Sequence, residues 1–477
     1  MTDSLLDAFA AAVATHGPRT ALVEGDGTRV TFDELAARAE GFAAHWAARG
    51  LGKGDRVLLA MPVGADLYAA LAAIWSLRAT AVLPEPAMGL TGVRHALALA
   101  GCKGLVASGV YRWLRLLLPG LWFKPLYVPK RGGKSAERRV VDADDVALIS
   151  FTSGSTGVPK AIPRSHAFLQ AQRRAVAPLL DSDKEEVDLV AFPVFVLINL
   201  AAGRCSVLPN WPMQKLDSVQ SDALARWIEV NGVTRALLPP ALVGTLGGVE
   251  IPGCLTTVMT GGGPVFPDMI ARLTDQRPDL RVVAVYGSTE AEPIAEIEMS
   301  AVGEADLAAM RGGKGLLAGP PVAGLDLRIE GGEILVAGEH VNRGYLDPAR
   351  DAETKVKDGG RIWHRTGDAG HMDADGRLWL LGRFGAEVAG LHPFAVETAA
   401  RTWPGVTAAA LAEVAGRPVL AIEGDAAHLT EWQNAASGLG EVRVCHLARI
   451  PLDRRHRSKV DYPALTAELV RRGDLAP

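Results

Sequence analysis

A glycine- and hydroxyl-rich segment that directly follows an apolar run constrains the fold of this chain more than any other feature. The segment reads Thr152-Ser153-Gly154-Ser155-Thr156-Gly157-Val158-Pro159-Lys160, and the run before it is Val146-Ala147-Leu148-Ile149-Ser150-Phe151. Glycines let backbone N–H groups turn inward without a Cβ in the way, and such amides, with hydroxyls and a lysine, suit a polyphosphate. The pattern predicts a buried strand that ends in a phosphate-binding loop. The Walker spacing is absent, because Gly154 has no Gly-Lys-Ser/Thr at the required offset. Taken alone, the segment also fits a surface turn.

Strand and helix patterns alternate through the first part of the chain. Predicted strands are 21–24, 28–31, 56–60, 187–195, 235–238, 256–259 and 282–286, and predicted helices are 5–13, 66–77, 168–179, 222–230 and 269–273. Such alternation is typical of an α/β fold with a doubly wound, mostly parallel sheet. Two further clusters, Gly261-Gly262-Gly263 and Gly287-Ser288-Thr289-Glu290, follow predicted strands. They are therefore expected at the sheet edge where α/β proteins bind ligands.

The pattern changes near residue 318 to short alternating strands separated by turns. We predict a large N-terminal lobe over 1–382, with a small β-rich subdomain over 318–382. Residues 383–477 are predicted to form a small mobile α+β lobe, with a hinge at Gly385 and Gly390.

Composition excludes some classes of function. The chain has 477 residues, 48% of them hydrophobic, and a net charge of −4, so no basic footprint for nucleic acid is present. Four scattered cysteines lack metal or redox spacing and are expected to be free thiols in a reducing compartment. The first residues lack the features of a signal peptide, and a cytoplasmic location is expected.

The segment 110–139 allows two interpretations. Its first part, 110–124, is strongly apolar, but Pro119 and Gly120 interrupt it and it is too short to span a bilayer; basic residues follow it. One interpretation is a core helix and strand followed by a solvated basic loop, and this is the favoured one. The other is a peripheral contact with a membrane surface.

Four ordered motifs resemble those of the adenylate-forming superfamily, which includes acyl-CoA synthetases, peptide-synthetase adenylation domains and luciferases. They are the 149–172 segment with the glycine loop, Val285-Tyr286-Gly287-Ser288-Thr289-Glu290, Trp363-His364-Arg365-Thr366-Gly367-Asp368 and Leu380-Leu381-Gly382-Arg383. Gly332-Glu333-Ile334-Leu335-Val336 followed by Gly344-Tyr345 matches a further motif. The resemblance covers nearly the whole chain and implies attack of a carboxylate on the α-phosphate of ATP, with Mg²⁺ as cofactor.

The resemblance also implies roles for individual residues. The implied ATP-binding set is Thr152, Ser153, Gly154, Ser155, Thr156, Gly157, Lys160, Gly261, Gly262, Gly263, Tyr286, Gly287, Ser288, Thr289, Asp368 and Arg383. Within it, the loop would hold the β- and γ-phosphates, Thr289 the α-phosphate, and Asp368 the ribose. Glu290 is the implied Mg²⁺ ligand, because it is a hard oxygen donor beside a polyphosphate. Lys459, in a basic loop near the C-terminus, is the implied catalytic lysine.

Departures from the usual pattern favour one branch, the olefin β-lactone synthetases. The stretch 192–200 lacks the histidine that many acyl-CoA synthetases carry there, and Phe192, Phe195 and Val196 are expected to line the acid pocket. The lysine loop lacks the usual glycine before Lys459, and Ala386 replaces the usual hinge aspartate. Three hypotheses stay open: a synthetase that closes a β-hydroxy fatty acid to a β-lactone, an acyl-CoA or acyl-carrier ligase that would also need CoA or a carrier, and a non-catalytic relative. The acid, its chain length and the oligomeric state are not predicted.

Overall fold

The structure is a computed structural model that describes residues 4–85, 88–132, 140–152, 159–453 and 459–472. Its α-helices are α1 (Leu5–His16), α2 (Phe32–Ala47), α3 (Ala65–Ser76), α4 (Gly89–Ala100), α5 (Leu114–Leu117), α6 (His166–Leu180), α7 (Pro193–Ala201), α8 (Ser221–Val230), α9 (Pro240–Leu246), α10 (Pro267–Thr274), α11 (Glu304–Arg311), α12 (Asp351–Thr354), α13 (Pro393–Ala400), α14 (Leu429–Ala436) and α15 (Tyr462–Arg471). The predicted mixed α/β class is confirmed.

The described strands form four sheets. In chain order they are β1 (Thr20–Val23), β2 (Arg29–Thr31), β3 (Arg56–Ala60), β4 (Thr80–Leu83), β5 (Gly104–Ala107), β6 (Leu126–Tyr127), β7 (Val146–Thr152), β8 (Lys160–Ser165), β9 (Val187–Val190), β10 (Cys205–Val207), β11 (Arg235–Leu238), β12 (Thr257–Gly261), β13 (Arg281–Ser288), β14 (Ala291–Glu298), β15 (Leu316–Gly319), β16 (Leu325–Glu330), β17 (Glu333–Gly338), β18 (Lys355–Asp358), β19 (Arg361–Met372), β20 (Leu378–Arg383), β21 (Val406–Val414), β22 (Arg417–Gly424) and β23 (Arg443–Leu447).

Two large sheets carry the predicted ligand loops. The first has the order β14-β13-β12-β11-β9-β10-β1-β2 and is parallel except at its two edge strands. The second has the order β6-β5-β3-β4-β7-β8 and is parallel except for β8. Because parallel strands end at one edge, the cluster after β12 and the one after β13 lie side by side. The glycine loop begins where β7 ends.

Local signals account for many of the element boundaries. Thr31 and Glu34 form a capping box at the start of α2, with Glu34 N donating to Thr31 Oγ1 at 3.1 Å and Thr31 N donating to Glu34 Oε2 at 2.9 Å. The turn at 25–27 joins β1 and β2 as an antiparallel hairpin. Apolar faces then bury the elements: nearly every residue of α3 is buried against the core.

One predicted strand is partly wrong. The expected strand 187–195 is a strand only over Val187–Val190, and helix α7 begins at Pro193. A proline at the first helical position loses no hydrogen bond and has the φ that a helix needs. The apolar run therefore turns from strand to helix and carries Phe195 and Val196 on α7.

The expectation of a core helix within 110–139 is also wrong. Short 3-10 turns at Gly109–Trp113 and Pro119–Leu121 flank the four-residue α5, and most large side chains of this part are exposed. The strand that was expected with it exists as β6. Among the described residues, no helix is both long and apolar enough to cross a membrane.

The third and fourth sheets follow the change of pattern near residue 318. The third has the order β15-β20-β19-β17-β16, with β18 on β19, and the fourth is β21-β22-β23, which lies entirely after Arg383. Arg401 clamps this last part onto α10, because its Nε and Nη2 donate to the two carboxylate oxygens of Asp268 at 2.8 and 2.7 Å. Phe266 and Phe394 meet edge to face beside that pair, with centroids 6.1 Å apart. The lobe boundary at 382, the hinge and the mobility of the last lobe stay predictions.

Candidate active site

Three of the expected nucleotide-binding residues form one hydrogen-bonded chain. The Tyr286 hydroxyl, at the end of β13, donates to Asp368 Oδ2 at 2.8 Å. Arg383 Nη1 donates to Asp368 Oδ1 at 2.7 Å, and the two residues face each other in register across β19 and β20. Burial, with the Asp368 carboxylate beside it, raises the pKa of Tyr286 well above its usual value. The Tyr286 hydroxyl therefore stays protonated, and its hydrogen bond fixes the position of the Asp368 carboxylate.

A second cluster surrounds Glu290, the expected Mg²⁺ ligand. The Tyr345 hydroxyl donates to Glu290 Oε1 at 2.9 Å. The ammonium groups of Lys160 and Lys355 lie 5.4 and 5.2 Å from the centroid of the Tyr345 ring, within cation–π range. Two cations and one carboxylate thus meet around a single aromatic ring, an arrangement suited to a polyphosphate and its metal.

The environment of Lys355 is costly for a charged group. Its Nζ donates to the Asn342 carbonyl and lies 3.2 Å from His364 Nδ1. Burial lowers the pKa of Lys355 from 10.5 to about 8, and Lys160 acts in the same direction. Burial and the neighbouring lysine lower the pKa of His364 to about 3, so this ring is neutral at physiological pH. An anion bound here would stabilise the charged form of Lys355.

Buried polar contacts fix the Thr289–Glu290 turn. Arg164 Nη2 donates to the Thr289 carbonyl oxygen at 2.8 Å, and Asn342 N donates to the Glu290 carbonyl oxygen at 2.7 Å. Burial raises the pKa of Glu292, although the nearby Arg164 opposes that shift. The turn that carries Thr289 and Glu290 is therefore held by the side chain of Arg164 on β8 and by the backbone of Asn342.

Gly261 and Gly262 bring backbone close to neighbouring groups. A side chain on Gly261 would collide with the Val285 carbonyl of the adjacent strand, and Gly262 has a φ of +78° that favours glycine. A Cβ on Gly262 would lie 3.5 Å from the Phe192 ring. Phe192 therefore flanks the glycine cluster, and Gly263 follows in the same turn.

Two buried hydroxyls point to a ligand at this edge. Thr260 Oγ1 on β12 and Ser288 Oγ at the end of β13 have no hydrogen-bond partner among the described residues. Buried polar groups in folded proteins are nearly always paired. Gly287, beside Ser288, packs its backbone against β14 so closely that a Cβ would approach the Ala291 carbonyl oxygen to 3.0 Å.

The expected acid-pocket residues fall in different surroundings. Phe192 and Phe195 contact each other, with centroids 6.1 Å apart, and both are partly buried against Met259 and Val283. Val196 is fully buried in the core that α1 and α3 share. Phe192 is thus the residue of the three that the structure brings to the glycine cluster.

The phosphate loop is described only at its two ends. Thr152 and Lys160 face each other across β7 and β8. Ser153, Gly154, Ser155, Thr156 and Gly157 lie outside the described residues.

The expected catalytic lysine stands at the neck of a second loop. Lys459 N donates to Asp453 Oδ1 at 3.0 Å, and Asp453 N donates to the Lys459 carbonyl at 2.8 Å. A few residues on, the Tyr462 hydroxyl donates at 2.9 Å to Glu397, a buried carboxyl whose pKa burial raises to about 7. These contacts anchor the loop base to α13; the loop tip, 454–458, lies outside the described residues.

A magnesium ion would be coordinated here by the protein together with the substrate phosphates, rather than by protein side chains alone. The described part of the chain has no cluster of three or more His, Cys, Asp or Glu side chains suited to a metal. Mg²⁺ keeps several waters and is usually bound by one or two carboxylates together with substrate phosphates. Glu290, whose carboxylate is oriented by the Tyr345 hydroxyl, fits that donor set as one protein ligand.

Sequence reasoning missed Lys355, Arg164 and Asn342. Tyr345 belongs to the motif Gly344-Tyr345, for which the resemblance implies no role. Lys355 lies in the charged stretch Glu353-Thr354-Lys355-Val356-Lys357-Asp358, which looks like an exposed strand. Only the pairing of β18 with β19 places it beside His364.

Comparison with known proteins agrees with this geometry. The AMP-binding enzyme family matches residues 9–346. An olefin beta-lactone synthetase of Stenotrophomonas maltophilia is 31% identical over 518 aligned positions, covering 93% of each chain. A feruloyl-CoA synthase of Amycolatopsis is 28% identical over 428 positions, covering 83% of each. O-Succinylbenzoate coenzyme A synthetase of Bacillus subtilis, solved with ATP and magnesium ion, has the same fold, with a TM-score of 0.77 at 21% identity over 96% of this chain and 98% of that one.

Proposed function

Because the chain belongs to the AMP-binding enzyme family and is an AMP-forming ligase, we propose that it activates a β-hydroxy fatty acid with ATP and closes the product to a β-lactone. A carboxylate oxygen of the acid attacks the α-phosphorus of ATP, and the bond to the β-phosphate breaks to release pyrophosphate. The β-hydroxyl oxygen then attacks the acyl carbon, the bond to AMP breaks, and the hydroxyl proton is released. The balance is acid plus ATP giving β-lactone, AMP and pyrophosphate.

The assembly of distant motif residues into two adjoining clusters carries the first half of this proposal. Tyr286, Asp368 and Arg383 would hold the nucleoside, since a fixed carboxylate accepts hydrogen bonds from ribose hydroxyls. Lys160, Lys355 and the turn at Glu290 would hold the phosphates and the metal. Two anions must meet in this reaction, and fixed cations aimed at the phosphoryl oxygens lower the barrier to that meeting.

Bound Mg²⁺ would supply charge neutralisation at the phosphate oxygens. Glu290 would be its protein ligand, and Tyr345 would orient that carboxylate. Lys459 would act on the carboxylate and the α-phosphate from its loop, and it would leave ATP affinity largely unchanged because its contact belongs to the reacting geometry.

Similarity to the β-lactone synthetase over 93% of the chain supports the second half. The internal hydroxyl of the substrate would capture the acyl-adenylate, so no thiol donor is needed. Phe192 beside the glycine cluster would form part of the wall for the apolar acid.

The second candidate is an acyl-CoA ligase. Similarity to the feruloyl-CoA synthase over 83% of the chain favours it. In that case the thiol of CoA, rather than the β-hydroxyl, attacks the acyl carbon.

Product analysis separates these candidates. The full-length chain is incubated with ATP, Mg²⁺ and a β-hydroxy fatty acid, with and without CoA, and a fatty acid of equal length without the hydroxyl is the matched control. We expect AMP, pyrophosphate and a product lighter than the acid by one water, without any need for CoA. The control acid should give only the acyl-adenylate. A thioester that forms only with CoA would overturn the lactone step and keep the adenylation step, and no pyrophosphate with any acid would overturn both.

A further inference from the structure

Large apolar side chains are exposed on the segment that connects β5 to β6 in the second sheet. They are Val110, Trp113, Leu116, Leu117, Trp122 and Phe123, here called the apolar surface. Phe123 is 96% exposed, Val110 75% and Trp113 64%. Exposed apolar residues elsewhere, such as Val230 and Val470, stand singly, which is normal for a folded protein. Six exposed apolar side chains within residues 110–123 are a concentration that typically marks an interaction site.

The segment is held in shape rather than loosely attached. Leu118 and Leu121 are fully buried in the core that also contains Phe151. Trp122 Nε1 donates to the Leu116 carbonyl oxygen at 3.1 Å, and Arg115 Nη2 donates to the Trp122 carbonyl oxygen at 3.1 Å. The two buried leucines and these hydrogen bonds therefore fix the segment in a conformation that leaves its apolar side chains exposed.

The charged residues in the sequence of this segment are nearly all basic. Between residues 104 and 141 the sequence has a single acid, Glu137, which lies outside the described residues. The described basic residues of the same stretch are Arg112, Arg115, Lys124, Lys130 and Arg131, and Arg131 lies 3.5 Å from an Asp66 carboxylate oxygen. Arg112 is exposed between Val110 and Trp113, in the middle of the apolar group. The whole chain carries a net charge of −4, so this basic stretch is a local exception.

We propose that the apolar surface docks on an anionic phospholipid bilayer. Trp, Phe and Leu side chains beside Arg and Lys form the combination that lies in the headgroup region, where apolar burial and attraction to anionic lipids add together. A protein partner would be expected to meet the charge with defined acidic pairs, whereas a lipid surface needs only a diffuse positive field. The bilayer is therefore the occupant that the charge pattern favours.

The position of the surface adds to this inference. The first turn of the segment begins at Gly109, two residues after β5 ends at Ala107. β5 runs parallel to β7 with β3 and β4 between them, so both end at one edge of the second sheet. At about 4.8 Å per strand, the surface begins roughly 14 Å from the end of β7, where the phosphate loop starts. The docked protein would therefore hold this edge close to the lipid.

Vesicle flotation tests the proposal. The full-length chain is mixed with phosphatidylcholine vesicles with or without phosphatidylglycerol, at low and high salt. We expect the protein to float with the anionic vesicles, less so at high salt, and only weakly with pure phosphatidylcholine. Failure of the wild-type protein to float with the anionic vesicles overturns the proposal.

Two variants and a matched control assign the binding to this surface. The double variant Trp113→Ser/Phe123→Ser should lower the partition coefficient at least about tenfold, because two aromatic side chains no longer enter the headgroup region. Val470→Ser, which removes an exposed apolar side chain from α15, should leave it unchanged. If the double variant unfolds, Arg112→Glu replaces it and should also weaken flotation. Flotation that neither variant weakens overturns the proposal, and so does a wild-type oligomer that the double variant converts to a monomer, since a second copy would then be the occupant.

Discussion

Replacement of the buried lysine beside Glu290, Lys355→Met, should stabilise the protein without nucleotide while it impairs the reaction. Burial lowers the pKa of Lys355 from 10.5 to about 8. At about 1.4 kcal/mol per pH unit, holding this group charged at pH 7 costs the folded state about 3 kcal/mol. The lost cation–π contact with Tyr345 and the lost hydrogen bond to the Asn342 carbonyl offset roughly 1 kcal/mol each. Methionine has a similar length and no charge, so the free energy of unfolding should rise by about 1 kcal/mol.

The effect should depend on pH in a defined direction. The folded-state pKa of Lys355 is below the unfolded one, so the cost is fully present below about pH 8. Between pH 8 and 10.5 the folded protein releases the proton that the unfolded chain keeps, and wild-type stability recovers relative to the variant. Urea denaturation at about pH 7 and pH 10 should therefore show a gap that shrinks with rising pH.

The control and the activity assay complete this test. Lys357→Met changes an exposed lysine on the same strand and should alter neither stability nor its pH dependence. Pyrophosphate release by Lys355→Met should fall about 10- to 100-fold, as for the loss of one fixed cation beside the phosphates. If Lys355→Met is less stable than the wild type at pH 7, and the difference in their free energies of unfolding does not change with pH, then the buried charge of Lys355 does not cost the folded state stability.

Three further substitutions test the rest of the site. Lys459→Ala should lower the rate of pyrophosphate release by about 10²–10³ with little change in the Kd for ATP, and a wild-type rate would remove this lysine from the mechanism. Glu290→Gln should raise the Mg²⁺ concentration needed for half-maximal activity, because a neutral amide binds a hard cation less well; a wild-type titration would exclude it as a ligand. Asp368→Ala breaks the chain between Tyr286 and Arg383 and should raise the KM for ATP about 10- to 100-fold, with a smaller effect on kcat, and an unchanged KM would place the nucleoside elsewhere.

Much of the fold follows from local signals in the sequence. Alternating apolar strands and amphipathic helices predict the parallel sheets, and the glycine clusters mark where β12 and β13 end. The prediction of a strand over 187–195 is partly wrong because a short apolar run has no periodicity that separates a strand from a buried helix. Pro193 was the available signal, since proline at the first helical position is common.

The chemistry of the site is harder to predict because burial is a tertiary property. Tyr286, Asp368 and Arg383 were identified through their motifs, and the structure joins them. Lys355 has no motif, and its altered pKa arises only because β18 pairs with β19 and lies beside Glu290. The apolar and basic pattern of 110–139 is compatible with both a core helix and a membrane contact, because apolar content cannot tell which side chains face the core.

Exchange of labelled pyrophosphate into ATP tests directly whether the chain forms an acyl-adenylate. Reversible formation of an acyl-adenylate requires that label enters ATP only when the carboxylic acid and Mg²⁺ are both present. We predict such exchange with a β-hydroxy fatty acid, and its loss in Lys459→Ala. If the chain binds ATP but gives no exchange with any carboxylic acid, it does not form an acyl-adenylate and the proposed function is wrong.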